Sequence, residues 1–245
     1  MKANGPKRPQ QPIRLYSHSG LCNRLRLFSC YREKAELEDK DIEMHWVQCP
    51  ACWTPFDKLF CPIPRVNFVY KRHGKNRRRS RPANSAISLV DIEPKKLNNF
   101  YLDIVPLQHI QQEIDYVRSI IGDNYTACHV RRTDICRIQK KYNKVAPSDQ
   151  DFFDFIENNE SDRVFVATDN KITQSLFRDR LGDRALFATE LSSNGSSRWP
   201  KRVTSIKDAV IDLFLCIHAK NFMGTACSSF SGFIQAYREG LKCRT

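Results

Sequence analysis

Apolar positions along the chain alternate between two rhythms: continuous runs of about five residues, and spacings of three and four. Residues 13–17, IRLYS, make a short apolar strand leading into a turn at Gly20. LCNRLRLFSCYREKAEL then places Leu21, Leu25, Phe28, Tyr31 and Ala35 on one helical face, and IEMHWV is strand-like again. This predicts one β–α–β unit with a parallel strand pair and a right-handed crossover. In the next stretch, Trp53, Phe56, Leu59 and Phe60 read as packing against that first sheet. Residues 71–81, KRHGKNRRRSR, carry no apolar periodicity and read as an exposed loop, and within 83–106 only ISLVDI suggests a short strand.

The second half is more regular. LQHIQQEIDYVRSII predicts a helix with Leu107, Ile110, Ile114, Val117 and Ile121 on one face. TACHV is a strand, DFFDFIENN a helix, RVFVATD a strand, KITQSLFRDRL a helix and RALFAT a short strand. IKDAVIDLFLCIHA is a further helix, NFMGTA a strand and SSFSGFIQAYREGL the last helix. Strands alternating with helices of this length predict an α/β fold with mostly parallel sheets flanked by helices. Three segments follow from the pattern: a flexible basic tail over 1–12, a first α/β half over 13–105 and a second over 106–245.

Length and composition narrow the classes. A chain of 245 residues with 41% hydrophobic content buries a real core, and a net charge of +13 points to anionic partners. No apolar run approaches the ~18 residues of a spanning helix; VIDLFLCIHA contains an Asp and a His. MKANGPKRPQQP lacks the apolar stretch of a secretory signal. These features point to a soluble cytoplasmic enzyme without a transmembrane anchor, of bacterial or viral kind. In that compartment the 10 cysteines are reduced thiols, and Cys128, Cys216 and Cys227 read as small core residues. Cys49 and Cys52 have the spacing of one zinc-ligand pair, but no second pair follows.

In an open parallel sheet, ligands bind beyond the carboxyl ends of the strands. The polar residues that follow strands are Arg131, Arg132 and Asp134, then Thr168 and Asp169, then Thr225, Ser228 and Ser229. Arginine forks match phosphate oxygens and keep their charge, and Ser228 and Ser229 open a helix whose N–H groups suit an anion. The other reading makes each arginine a structural partner of Asp134 or Asp169. The Gly20 turn opens a helix carrying Asn23, Arg24 and Arg26, a basic phosphate-type turn that is neither G-x-G-x-x-G nor a Walker sequence.

Taken together, the motifs resemble a known superfamily. GLCNRLRLFS followed by HWVQCPACWTPFDKLF is similar to the opening of fucosyltransferase-like proteins. HVRRTD at 129–134 matches the H-x-R-R-x-D motif of α1,6-, nodulation, α1,2- and protein O-fucosyltransferases. FVATDN at 165–170 and DAVIDLFLCIHAKNFMGTACSSFSGF resemble their second and third motifs. The resemblance implies a GT-B glycosyltransferase with two Rossmann-like halves, the second holding a GDP-sugar donor, GDP-fucose favoured. It implies inversion, no metal or other cofactor, and a glycan acceptor on the first half. Carried over by motif, Arg131 contacts the donor diphosphate and Arg132 supports it or the shape of the site. His129 and Asp212 lie near guanine, Ser228 and Ser229 bind phosphate oxygens, and Asp169, Asn23 and Arg24 complete the donor site.

Two departures accompany the resemblance. Cys22 stands where a second glycine is usual, and Gln139 stands where the α1,6 pattern has a glutamate. Either the base is then Asp134, Asp149 or a first-half carboxylate such as Asp57, or the reaction is dissociative enough to need no strong base. Two other readings remain: a basic nucleic-acid-binding protein, and a catalytically inactive GDP-sugar-binding relative. Against the first, the basic residues are not interleaved with aromatics, and no nucleic acid is expected as partner.

Overall fold

A computed structural model describes residues 11–72, 100–133, 143, 145–192 and 204–243. The first sheet comprises β1 (Ile13–Ser17), β2 (Ile42–Gln48) and β3 (Val66–Arg72), paired in that order and all parallel. Helix α1 (Leu21–Leu37) makes the crossover from β1 to β2. Strand β3 escaped the sequence reading. Its alternation of Val66, Phe68 and Tyr70 is present, but it runs into the basic stretch at 71–81 that reads as loop. The inner face of this sheet presents Leu15, Met44, Trp46 and Phe68. Phe56 stacks on Phe68 at 3.9 Å, with Trp46 and Phe28 edge-on to the pair.

The second sheet has strand order β6-β5-β4-β7, again all parallel. Its strands are β4 (Tyr125–Val130), β5 (Arg163–Thr168), β6 (Ala185–Leu186) and β7 (Asn221–Gly224). The helices are α2 (Gln108–Ile121), α3 (Asp149–Glu157), α4 (Lys171–Leu181), α5 (Ile206–His218) and α6 (Ser229–Lys242). Every residue of β4 is buried, as a central strand covered on both faces requires. Cys128, Val130, Val164 and Val166 face α3 and α4, whereas Tyr125, Ala127, Phe165 and Ala167 face α5 and α6. The predicted strand RALFAT, at 184–189, shortens to Ala185–Leu186. The stretch 87–92, most of the 71–81 run, Asp134 and Gln139 lie outside the described residues.

The helix starts follow local chemistry. Ser148 and Ser205 form capping boxes with Asp151 and Asp208, and Asn170 accepts from the Thr173 N–H. The described cysteines are free thiols. Cys128 and Cys216 sit in the core as expected, but Cys227 is exposed, because it occupies a turn at φ 60°.

One hydrophobic cluster runs through both halves, from Leu15, Phe28 and Trp46 to Phe165, Phe214 and Phe233. Between them, the Tyr101 ring meets Phe233 at 5.0 Å, with the Arg26 side chain of α1 close to its hydroxyl. A bridge between Phe60 and Pro106 ties the first-half loop to the entry of the second half. Gly224, at the end of β7, lies so close to α6 that a Cβ there would stand 2.6 Å from both Cβ and Oγ of Ser231. Gly224→Ala is therefore expected to destabilise the fold by about 1–3 kcal/mol in urea denaturation. Gly232→Ala, which meets only the Arg26 guanidinium at 3.9 Å, should cost far less.

Candidate functional site

The carboxyl end of β4 is fixed from both sides. From the β7 side, the Thr225 hydroxyl donates to the His129 carbonyl (2.8 Å) and accepts from the Arg131 N–H (2.9 Å). From the β5 side, Asp169 Oδ1 accepts from the Arg132 N–H (3.0 Å), and its other oxygen accepts from the Thr133 hydroxyl. The backbone at 131–133 is thus stitched to its two neighbours, which sets where each arginine points. Thr225 is 1% exposed. Sequence placed it on the rim, but its reach to two backbone groups of β4 requires the strand order.

The two arginines part here. Arg132 turns toward α3: its guanidinium donates to Asp149 and to the Pro147 carbonyl (2.9 Å) and lies 5.7 Å from the Phe152 ring. The structural-partner reading therefore fits Arg132, whose guanidinium takes Asp149 as its partner while Asp169 holds its backbone N–H. Asp149 is by the same contact engaged and not an open base. Asp169 likewise spends both oxygens on the 132–133 turn. Arg131 lies on the other side of the strand, half-buried, toward α6.

His129 points to α6 as well. Its Nδ1 lies 2.7 Å from Ser231 Oγ, and its ring packs 4.5 Å from that of Phe230. Burial, with the Arg131 charge adding to it, pushes its pKa down to about 3, so the imidazole is neutral at physiological pH. Asp212 sits half-buried on α5, in the same helical layer, one turn from Cys216. Burial raises that thiol's pKa well above its usual value, and the Asp212 charge adds to the shift.

The start of α6 breaks the pattern of its neighbours. Ser228 is the N-cap residue, yet its side chain caps nothing. It is 5% exposed, and its hydroxyl has no hydrogen-bond partner among the described residues. The preceding Cys227 holds φ 60°, an uncommon conformation for a residue with a Cβ. A buried hydroxyl with no partner among the described residues, at a helix N-terminus with Ser229 next in line, is a donor set whose chemistry suits an anion.

The first half approaches the same region. Arg26, in α1, lies against Gly232, one turn into α6. Asn23 occupies the first turn of α1, half-buried. Arg24, expected at the donor site, lies within the first-half core. It is 0% exposed and donates from Nε to the Ser19 carbonyl (2.6 Å) and from Nη2 to Cys49 Sγ (3.2 Å), with its guanidinium 4.8 Å from the Trp46 ring. It braces the first half from inside. Gly20 is extended (φ −65°), and among the described residues nothing stands within 4 Å of where its Cβ would be.

No family model matches the chain, and no curated protein matches it in sequence. Solved structures do match its fold. NodZ α-1,6-fucosyltransferase co-crystallised with GDP aligns at a TM-score of 0.63 with 12% identity, covering 92% of each chain. The NodZ fucosyltransferase from Bradyrhizobium gives 0.62 at 13% identity, covering 92% of this chain and 93% of that one. POFUT1 in its apo form gives 0.64 at 11% identity, over 96% and 97%. Other matching structures hold POFUT1 with GDP and with GDP-fucose. The fold is therefore that of GT-B fucosyltransferase structures, with two parallel sheets flanked by helices.

Because folded His129 refuses the proton that an unfolded histidine accepts below pH ~6.5, stability should fall as pH drops below that value. The slope from this one group is about 1.4 kcal/mol per pH unit. Comparing urea denaturation of wild type and His129→Asn between pH ~7 and ~5 checks it, the variant lacking that component.

Proposed function

We propose that the rim formed by Arg131, Ser228 and Ser229 holds the diphosphate of a GDP-sugar, GDP-fucose favoured, for transfer to a glycan hydroxyl. The observation that carries this reading is the buried Ser228 hydroxyl at the start of α6, which has no hydrogen-bond partner among the described residues. The fold supports it, since matching structures carry GDP and GDP-fucose. In this assignment the second half is the donor side and the first half the acceptor side. Neutral His129 and Asp212 flank the nucleotide, with Asp212 accepting from guanine N–H groups. Arg132 and Asp169 act on the 131–133 turn and not on the donor.

The chemistry follows from where charge develops. As the sugar–phosphate bond breaks, negative charge accumulates on the departing diphosphate. Arg131 and the α6 N-terminus are oriented before the reaction to meet that charge, so little reorganisation is needed as it grows. We assign these groups the role a divalent ion plays elsewhere. The transfer inverts the anomeric centre, with the acceptor hydroxyl attacking from the face opposite the diphosphate. Among the candidate bases, Asp149 is held by Arg132 and Asp134 lies outside the described residues. Asp57 is exposed on the loop after β2, its backbone N–H donating to Tyr70 Oη (3.2 Å).

Gly20 supports the same reading. Neither its φ nor its surroundings call for glycine, so the residue keeps space open for something that approaches the backbone closely. Among the described residues no helix is long and apolar enough to cross a membrane.

Thermal-shift titration tests the assignment, because a ligand bound only to the folded state raises Tm. GDP should stabilise the protein without Mg²⁺, and UDP should not. Arg131→Ala should weaken GDP binding by about tenfold to a hundredfold. Gly20→Ala should leave unliganded stability near wild type while weakening GDP binding. An Arg131→Ala protein with an unchanged GDP response would refute the assignment. Transfer of fucose from GDP-fucose separates an active enzyme from an inactive binder.

A further inference from the structure

Of the four residues expected to pack against the first sheet, three do so: Phe56 and Leu59 are 1% exposed and Phe60 is 0%. Trp53 is 53% exposed. Burying an indole is worth a few kcal/mol, so an indole held in solvent on a rigid mount calls for a reason.

The mount is unusually well tied. Cys49 and Cys52 exchange backbone hydrogen bonds in both directions (3.3 and 2.8 Å), forming a tight hairpin with both thiols buried. The Trp53 carbonyl accepts from Gln48 Nε2 (2.8 Å), and the next carbonyl, of Thr54, accepts from Trp46 Nε1 (3.0 Å). Cys49 Sγ donates to the His18 carbonyl (3.1 Å) and accepts from buried Arg24. The hairpin is thus fixed to the turn that leads into Gly20 and Asn23, on the carboxyl rim of the first sheet. Every described contact of the Trp53 residue uses its backbone, which leaves the ring available.

We infer that Trp53 is a stacking platform for one pyranose ring of the acceptor glycan, a subsite on the half opposite the donor. The inference rests on the proposed transferase reading and extends it to the acceptor. A pyranose offers an apolar C–H face to an aromatic ring and hydroxyls at its edge. Beside Trp53 the same loop exposes Asp57 and Lys58, which supply hydrogen-bonding partners for such an edge. A protein partner fits less well, because a stable interface needs on the order of 1,000 Å² with a contiguous apolar centre. Among described residues 11–72, the one other exposed large apolar side chain is Leu37, at the far end of α1. A lone indole suits a single ring.

The test uses isothermal titration calorimetry of the full chain, titrated with four neutral tetrasaccharide series: gluco-, xylo-, galacto- and N-acetylglucosamine oligomers. At least one should give a heat of binding with the wild type at ~10 mM or below. Its affinity should fall about tenfold in Trp53→Ala and recover in part in Trp53→Phe. Both variants should keep the wild-type GDP thermal shift. Wild-type saccharide affinity in Trp53→Ala, or no response to any series from a protein that responds to GDP, overturns the platform. A wild-type protein that fails to respond to GDP instead removes the donor reading, so the two failures are distinguishable.

Discussion

The Thr225 hydroxyl, donating to one backbone group of β4 and accepting from the next, is the contact on which the rim depends. A central parallel strand ends with its last N–H and C=O groups pointing at neighbours that have themselves ended, and buried polar groups there are costly unless paired. Thr225 answers this from β7 and Asp169 from β5. With both edges of the turn pinned, successive side chains emerge on opposite faces. Arg131 is sent toward the α6 layer and Arg132 toward α3.

That division explains how two adjacent arginines take different work. Arg132 joins the start of α3 to the strand end through Asp149 and lies near Phe152, so its charge is compensated and half-shielded. It contributes geometry. Arg131 stands near neutral His129 and the uncapped start of α6, where a negative ligand gains from both the guanidinium and the free N–H groups. The neutrality of His129 follows from its burial beside that same cation. The imidazole offers hydrogen bonding to Ser231 without adding a competing charge.

Much of this was legible in the chain and some was not. The α/β alternation could be read because buried strands and amphipathic helices have distinct periods, and the rim residues followed from where strands end. Strand β3 was hidden because its alternation dissolves into a basic run, and composition outweighed period there. The Arg132–Asp149 pair spans a connection whose length gives no hint of contact. Arg24 reads in the sequence as part of a basic, donor-binding turn, and only the thiol, carbonyl and indole around it explain its burial. Trp53 shows the converse error, an aromatic assumed to be inside. The open hydroxyl of Ser228 is beyond any sequence pattern, since serine before a helix ordinarily predicts a cap that is made.

The continuous core carries a consequence for traffic through the molecule. Tyr101 and Phe233 seal the junction, with Arg26 spanning from α1 to the tyrosine. Parting the halves like jaws would strip water-excluded aromatic surface from both, so the spacing of the two sheets is held by the core itself. A ligand lodged between the two rims would have to enter and leave with that spacing unchanged.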